Sequence, residues 1–144
     1  MLDIRPFTIE DHASATELWK HSEGVSLSTA DSRENIEYYL QSNAGLSFVA
    51  FDGGQLVGAV LCGHDGRRGY LHHLAVHPDH QKRGIGKALT ARCLRALAAK
   101  SIQRCHLFVY GQNRAAREFW ARIGWFERTD LVMMSCDLAA SDPP

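Results

Sequence analysis

The pattern of hydrophobic and polar positions divides the chain into short alternating segments and longer segments with helical spacing. Alternation predicts half-buried strands, and apolar residues three or four positions apart predict amphipathic helices. The predicted strands are 2–7, 46–51, 55–61, 70–76, 105–110, 125–127 and 131–138. A first helix ends at Gly24, a second begins after Asp31 or Ser32, and two more cover 86–99 and 114–123.

This order of elements predicts an α/β fold with a mixed sheet. Asp52-Gly53-Gly54 indicates a hairpin, so the neighbouring strands should be antiparallel. The helix 86–99 connects strands 70–76 and 105–110, and such a crossover makes the strands that it joins parallel. With 144 residues, we expect one domain over 1–138 and a frayed tail over 139–144.

Composition and charge change this picture little. Hydrophobic residues make up 45% of the chain, charged residues 22%, and the formal net charge is zero. Nothing here indicates a nucleic-acid or membrane partner. The four cysteines have neither disulfide nor metal spacing, and the histidines show no ligand pattern, so we expect reduced thiols, no metal and a cytoplasmic protein.

The segment between the strand 70–76 and the helix 86–99 carries the clearest chemical signal. Gln81-Lys-Arg-Gly84-Ile-Gly86 places two glycines where a helix begins, and Lys82, Arg83 and Lys87 add positive charge. Unpaired amides and the positive end of the helix dipole attract anions there. A P-loop would need a hydroxyl after Lys87, and a dinucleotide fingerprint would need glycine at Leu89. The remaining candidate is the Q/R-x-x-G-x-G/A loop, which the segment matches at every fixed position.

That loop resembles the acyl-CoA signature of the GCN5-related N-acetyltransferases (GNAT). A second segment, from Asn113 through Ala116 and Phe119-Trp120 to Gly124-Trp125, is similar to the later motif of the family. The resemblance implies a GNAT acyl-CoA N-acyltransferase fold, in which a central mixed sheet with two splayed parallel strands is flanked by about four helices. It also implies acetyl-CoA as co-substrate. The cofactor-binding residues would be Leu74, Ala75, Val76, Gln81, Lys82, Arg83, Gly84, Ile85, Gly86, Lys87 and Asn113.

The resemblance also suggests a base. In the arylalkylamine N-acetyltransferase branch, a histidine at the position of His72 relays the proton of the amine through water, and histidine is the natural base near neutral pH. Strand alternation places His72 on one face with Leu74, and His73 on the other, so we interpret His73 as structural. In the protein N-terminal acetyltransferase branch a glutamate on the next strand is the expected base, and Phe108 stands at that position here. The other interpretation of His72 is that it only lines the pocket, and the carboxylates of Glu23, Asp31 and Glu34 are further candidates for the base.

The proton donor departs from the family pattern. Trp120 replaces the usual tyrosine of the second motif, and an indole N–H can donate a hydrogen bond but is not a usable acid. Trp120 could steady the leaving thiolate or merely pack beside the cofactor. Tyr110, at the end of its strand, is the nearest alternative donor. Asn113 is also a candidate helix cap.

These observations favour an enzyme that transfers acetyl from acetyl-CoA to the primary amine of a small molecule. A protein N-terminal or lysine acetyltransferase and a non-catalytic acyl-CoA-binding module remain alternatives. We expect the acceptor pocket to form from 22–32, the strand ends near Tyr70 and Tyr110, and the turn 128–131. A homodimer is possible.

Overall fold

The computed structural model describes residues 1–138. In this range the chain forms five strands, four α-helices and three short 3₁₀ turns. The strands are β1 (Leu2–Pro6), β2 (Phe48–Asp52), β3 (Gln55–His64), β4 (Gly69–Val76) and β5 (Cys105–His106). The helices are α1 (His12–Lys20), α2 (Arg33–Ser42), α3 (Ile85–Ala99) and α4 (Arg114–Arg122). The 3₁₀ turns are Ile9–Asp11, Thr29–Asp31 and Pro78–His80. The predicted tail, 139–144, lies outside the described residues.

The predicted mixed sheet is confirmed. Its strands lie in chain order, β1 to β5, and every neighbouring pair is antiparallel except β4 and β5, which are parallel. Gly53 and Gly54, both at positive φ, close the predicted hairpin between β2 and β3. Helix α3 is the crossover that the parallel pair requires.

The sheet buries apolar side chains on both faces. On one face, Leu89, Cys93 and Leu97 of α3 pack against strand residues such as Val60 and Leu71. On the other face, α1 and α2 contribute their own buried cluster, with Trp19 at 0% exposure. Because β3 is covered on both sides, eight of its ten residues are buried. This two-sided core gives the central strands a fixed position relative to the helices.

The predicted parallel strand 105–110 is much shorter than expected. Only Cys105 and His106 pair with β4, opposite Gly69 and Tyr70. Beyond them the two strands separate, which confirms the expected splay. The sequence pattern continues through 107–110, but strand pairing needs a partner that stays alongside, and β4 does not.

The predicted final strands, 125–127 and 131–138, are wrong for this structure. Both segments lie outside the sheet, and every side chain from 131 to 138 is exposed. Alternation indicates only a segment that could be half-buried in a sheet, and in the described chain no strand pairs with it. Within residues 1–138, no helix has the length and apolar character needed to cross a bilayer.

Candidate active site

The separation of β4 from residues 107–110 opens a cavity of about 340 Å³, here called the wedge. It lies beside the strand predicted to hold the cofactor and the base. Its lining residues are Glu23, Gly24, Val25, Ser26, Leu71, His72, His73, Leu74, Leu107, Phe108, Val109, Tyr110, Asn113, Ala116, Trp120 and Met133. The wedge therefore joins both segments of the sequence resemblance, since β4 contributes one wall and the start of α4 another.

A β-bulge in β4 shapes this wall. His72 pairs with Leu61 and Ala75 pairs with Ala59, so His73 and Leu74 together face the single residue between them on β3. His73 has φ of 57°, in the left-handed region that side chains other than glycine rarely adopt. The extra residue shifts the alternation by one position.

The bulge corrects the predicted faces of β4. Leu74 packs with the α3 side of the sheet, whereas the ring of His72 lies 6.4 Å from that of Tyr39 in α2. His73 also turns to the α1 and α2 side, where its ring is 5.2 Å from that of Trp19. His72 and His73 therefore share a face, contrary to simple strand alternation.

Two hydrogen bonds hold the bulge in place. The indole Nε1 of Trp19 donates to the carbonyl oxygen of His73 at 2.7 Å. The ring Nε2 of His73 is 2.8 Å from Oδ1 of Asp31, and the other carboxylate oxygen accepts the amide of Ser28 at 3.0 Å. A buried indole N–H needs an acceptor, and a bulge leaves one carbonyl free to serve. These contacts are consistent with the structural role expected for His73, and they hold the backbone next to His72 in place.

His72 is half-buried between the wedge and a second cavity. Burial lowers the pKa of His72, the neighbouring His73 lowers it further, and Asp31 opposes both. The neutral imidazole is therefore favoured at lower pH than in an exposed histidine. The ring centroids of Phe108 and His72 lie 6.4 Å apart in a stacked arrangement. Phe108 therefore occupies the position where the mechanism of the protein N-terminal acetyltransferase branch would need a glutamate.

The second cavity, here called the α2 cavity, has a volume of about 590 Å³. It lies between α2 and β4 and shares His72 and His73 with the wedge. Its polar lining residues include Ser28, Asp31, Asn35, Tyr38, Tyr39, Ser42 and Asn43. Burial raises the pKa of Tyr39, whose phenol therefore keeps its proton. A molecule in the α2 cavity could therefore contact His72 without entering the wedge.

The loop 81–87 has the geometry of an anion site. Lys82 and Gly84 have φ of 65° and 81°, and Gly84 is the residue that precedes α3. In the described part of the chain, the amides of residues 82–87 have no protein acceptor. A Cβ at Gly84 would meet no atom within 4 Å, so the space beside this backbone is open. Unpaired amides at a helix start fit the charge and shape of a diphosphate.

The other predicted cofactor residues take different positions around this loop. Leu74 lines the wedge, whereas the side chain of Ala75 is buried on the opposite face, so only its backbone could reach a ligand. The carbonyl of Val76 accepts a hydrogen bond from Gln81 Nε2 at 3.0 Å, which ties the loop to the strand end. Gly86 is also a packing residue, since a Cβ there would lie 3.3 Å from the ring of Phe119.

The candidate donors and Asn113 lie around the wedge. Trp120 is half-buried against Phe119 and Trp125, with ring centroids 5.0 and 5.1 Å away. Tyr110 is exposed, and its hydroxyl is 2.6 Å from Oγ of Ser26. Asn113 caps α4 by accepting the amide of Ala116 at 3.1 Å.

Sequence reasoning missed three residues that shape the site. Trp19 and Tyr39 read as the apolar faces of their helices, and nothing local shows that they touch β4. Gly24 faces Asn113 so closely that a Cβ would lie 2.6 Å from its Nδ2. The sequence shows that Gly24 ends a helical pattern, but it does not show that Gly24 contacts Asn113. Within residues 1–138, no group of three or more His, Cys, Asp or Glu side chains is placed to hold a metal ion.

Comparison with known proteins gives the class of the chain. The model of the acetyltransferase (GNAT) family matches residues 12–125. The chain belongs to this family. An acetyltransferase of Pectobacterium atrosepticum is 33% identical over 135 residues, which cover 94% of this chain and 91% of the relative.

Solved GNAT structures have the same fold. PaiA N-acetyltransferase from Thermoplasma acidophilum, in complex with coenzyme A, has a TM-score of 0.74 and 25% identity, covering 86% of this chain and 89% of its own. AAC(6')-Iy, in complex with a bisubstrate analogue of CoA, has a TM-score of 0.76 and 21% identity, covering 96% and 99%. The GNAT assignment, the splayed sheet and the activity class of an N-acetyltransferase agree with one another.

Proposed function

We propose that the chain transfers an acetyl group from acetyl-CoA to the primary amine of a small molecule, by direct attack while both substrates are bound. One observation carries the proposal: His72 forms a wall common to the wedge and the α2 cavity. An acyl donor in the wedge and an amine in the α2 cavity would thus meet at His72. His73 lines both cavities as well, but its Nε2 already contacts Asp31. Such an arrangement brings the reacting groups together before reaction.

In this proposal the loop 81–87 binds the diphosphate of acetyl-CoA. The free amides of 82–87 and the start of α3 supply the donors, and the exposed side chains of Lys82, Arg83 and Lys87 add positive charge. Leu74 and Asn113 line the wedge, and the carbonyl of Val76 connects the same strand to Gln81 at the start of the loop. Acetyl-CoA supplies the activated thioester carbonyl, and the chain supplies binding, orientation and proton transfer.

His72 acts as the general base. The acceptor amine is an ammonium ion at neutral pH and must lose a proton before it can attack. A neutral imidazole can accept that proton directly or through water. Because burial lowers the pKa of His72, the neutral form of its ring, which can accept a proton, is favoured down to lower pH than in an exposed histidine.

Tyr110 and Trp120 serve the leaving group. The hydroxyl of Tyr110 holds a proton that could pass to the thiolate, and Ser26, 2.6 Å away, holds this hydroxyl at the rim of the wedge. Trp120 can donate a hydrogen bond from its indole N–H, although it cannot release that proton. We therefore assign protonation of the leaving thiolate to Tyr110, and stabilisation of that thiolate by a hydrogen bond to Trp120.

The α2 cavity favours a small amine over a peptide. It lies between a helix and the sheet, and seven of its thirteen lining residues carry a hydroxyl or amide group on an otherwise mainly apolar surface. Such groups can hold a polar molecule in one orientation.

The free thiols in the described chain fit a reducing compartment, so we place the reaction in the cytoplasm.

A thiol-release assay with acetyl-CoA tests this proposal. The panel should contain polar small amines, aromatic amines, and peptides with free N-termini or lysines. We expect turnover with one or more small amines and none with the peptides. Turnover of peptides alone would favour a protein acetyltransferase. Binding of CoA without turnover of any acceptor would favour a non-catalytic module.

A further inference from the structure

A row of aromatic rings extends from His72 along β4 and β5, and is here called the aromatic strip. Its other members are Tyr70, His106 and Phe108. The ring centroid of Tyr70 lies 5.7 Å from that of His106 and 6.3 Å from that of Phe108. Phe108 in turn stacks with His72, and it is 58% exposed. The proposed base is therefore one end of an aromatic surface that is open to solvent.

The aromatic strip lies on the α2 side of the sheet. Leu71 and Cys105, which alternate with its members along the chain, pack with the α3 side. Gly63 pairs with Tyr70, and a Cβ at Gly63 would lie 2.6 Å from the hydroxyl of Tyr39 in α2. Paired residues of neighbouring strands point to the same face of a sheet. A molecule in the α2 cavity can thus extend along the strip without crossing the sheet.

Three arginines lie at the far end of the aromatic strip. Arg68 and Arg104 directly precede β4 and β5 and continue the alternation of the strip. The amide of Gly69 donates to the carbonyl oxygen of Arg104 at 2.9 Å, which holds the two strand starts side by side. Burial lowers the pKa of His106, and the charges of Arg128 and of the two other arginines lower it further. All three guanidinium groups are therefore close enough to act on one ring.

The carboxylates at this arginine cluster neutralise it only in part. Oδ1 of Asp130 lies 3.6 Å from Nε of Arg128. Oδ1 of Asp65 accepts two backbone amides of its own turn at 2.8 Å, one of them from Arg68. Within residues 1–138, neither Arg68 nor Arg104 forms an ion pair. The cluster therefore keeps a net positive charge.

The arginine cluster is suited to an anionic group of a ligand. Guanidinium groups bind carboxylates and phosphates through paired, charge-assisted hydrogen bonds. Arg104 lies over the ring of Phe126, 5.7 Å from the ring centroid, and this contact uses the face of the guanidinium rather than its N–H edge. The four residues from His72 to Arg68 span about 13 Å of strand. A single small molecule can reach both ends.

We propose that the acceptor amine carries an acidic group, a carboxylate or a phosphate, that binds to Arg68, Arg104 and Arg128 while its amine lies at His72. This inference rests on the proposed function, since it names the kind of amine that the same site takes. The aromatic strip between the two ends packs against the body of the molecule, and an aromatic body fits it best. The substrate is thus an aromatic amine with an acidic group on the order of 10 Å from its nitrogen.

Acetylation of matched amines tests the proposal. One pair is tyramine phosphate with tyramine, and the other is para-(aminoethyl)benzoate with para-(aminoethyl)benzamide. We expect kcat/KM to be at least about fivefold higher for the acidic member, and this advantage should shrink as salt rises. A preference in one pair alone identifies the acidic group and supports the proposal. Equal turnover within both pairs would overturn it, while leaving the proposed function intact.

Two variants test the arginines directly. Arg68→Gln and Arg104→Gln should each lower the acidic-to-neutral ratio of kcat/KM at least about twofold, through a higher KM for the acidic amine. Arg95→Gln, which removes an exposed arginine of α3, is the matched control and should keep the wild-type ratio. An unchanged ratio in both variants, or an equal fall in the control, would overturn the proposal.

Isothermal titration calorimetry decides the proposal even where no amine is acetylated. Each amine is titrated into protein saturated with CoA, so that tyramine phosphate cannot occupy the diphosphate loop. Tighter binding of tyramine phosphate than of tyramine, lost in Arg68→Gln and Arg104→Gln, would support the anion subsite although the proposed function had failed. Equal binding of the two amines would overturn the subsite.

Discussion

The ring nitrogen Nε2 of His73 lies 2.8 Å from Oδ1 of Asp31, although 42 residues separate them in sequence. Both side chains are largely buried, at 19% and 10% exposure. The pair connects the 3₁₀ turn Thr29–Asp31, just before α2, to the bulge in β4. It therefore links one wall of the α2 cavity to the strand segment that carries His72.

His72→Ala should lower kcat by roughly 10²- to 10⁴-fold, the usual effect of removing a general base. The wild-type kcat/KM should fall on the acid side with a pKa below 6.5, because burial favours the neutral ring. A pH–rate profile with the best amine of the panel measures both. The exposed His21→Ala is the control and should leave the profile unchanged. An acidic limb that persists in His72→Ala would show that another group is the base.

His73→Asn should move the acidic limb of the same profile to higher pH. The substitution removes the electrostatic influence of His73, which lowers the pKa of His72, and it leaves Asp31, which raises that pKa, without its histidine partner. Asparagine tolerates the left-handed backbone at this position better than most residues. A shift to lower pH, or none, would contradict the coupling of the two histidines. His77→Asn, away from both cavities, serves as control.

Gly84→Asp should weaken binding of CoA at least about tenfold, which corresponds to about 1.4 kcal/mol. The new carboxylate would repel the diphosphate at the start of α3. Gly84→Asn is the matched control, because asparagine has nearly the same size and tolerates positive φ without adding charge. Isothermal titration calorimetry with CoA compares the variants. Equal affinity of Gly84→Asp and wild type would refute the assignment of the diphosphate to this loop.

The parts of the site that depend on local sequence could be predicted. The loop 81–87 and the start of α3 follow from two glycines, a basic run and a helical pattern that adjoin one another. Because α3 connects β4 to β5 as a crossover, these two strands could be predicted to be parallel. Each of these inferences needs only residues that are neighbours in the chain or rules of chain connection.

The parts that depend on distant contacts could not be predicted. The bulge at His73 depends on Trp19 and Asp31, which lie 54 and 42 residues away. Strand alternation assumes a regular pleat, so it assigned His72 and His73 to opposite faces. The pattern of 131–138 predicts a strand that the structure does not form, because pairing needs a neighbouring edge and the pattern carries no information about where such an edge lies.

Asp11→Asn should lower the free energy of unfolding by about 1–3 kcal/mol at neutral pH, the cost of damaging a buried charged hydrogen-bond group. Asp11 is 6% exposed and accepts hydrogen bonds from Arg5 at 2.8 and 2.9 Å and from the amide of Thr8 at 2.9 Å. Burial alone would raise the pKa of Asp11, but the bonds from Arg5 and Thr8 outweigh it and leave the pKa below 3.8.

The pH dependence of this loss follows from the lowered pKa. A carboxylate whose folded pKa is depressed stabilises the fold fully above its unfolded pKa, and the contribution is lost as pH falls through the folded value. The difference between wild type and Asp11→Asn should therefore shrink below about pH 4. Urea unfolding at several pH values measures it, with the exposed Asp79→Asn as control. A difference that stays constant into acid would contradict the role of the Asp11 charge.

The hydrogen bond from Trp19 to the carbonyl of His73 ties the first helix to the strand segment that carries His72, the proposed base. A damaged α1 would therefore do more than loosen the protein, since the backbone at residue 73 would lose its anchor and could relax towards a regular strand. Substitutions that destabilise α1 should therefore lower the activity as well as the stability of the protein. Random mutagenesis should then recover impaired enzymes at α1 positions that never meet either substrate.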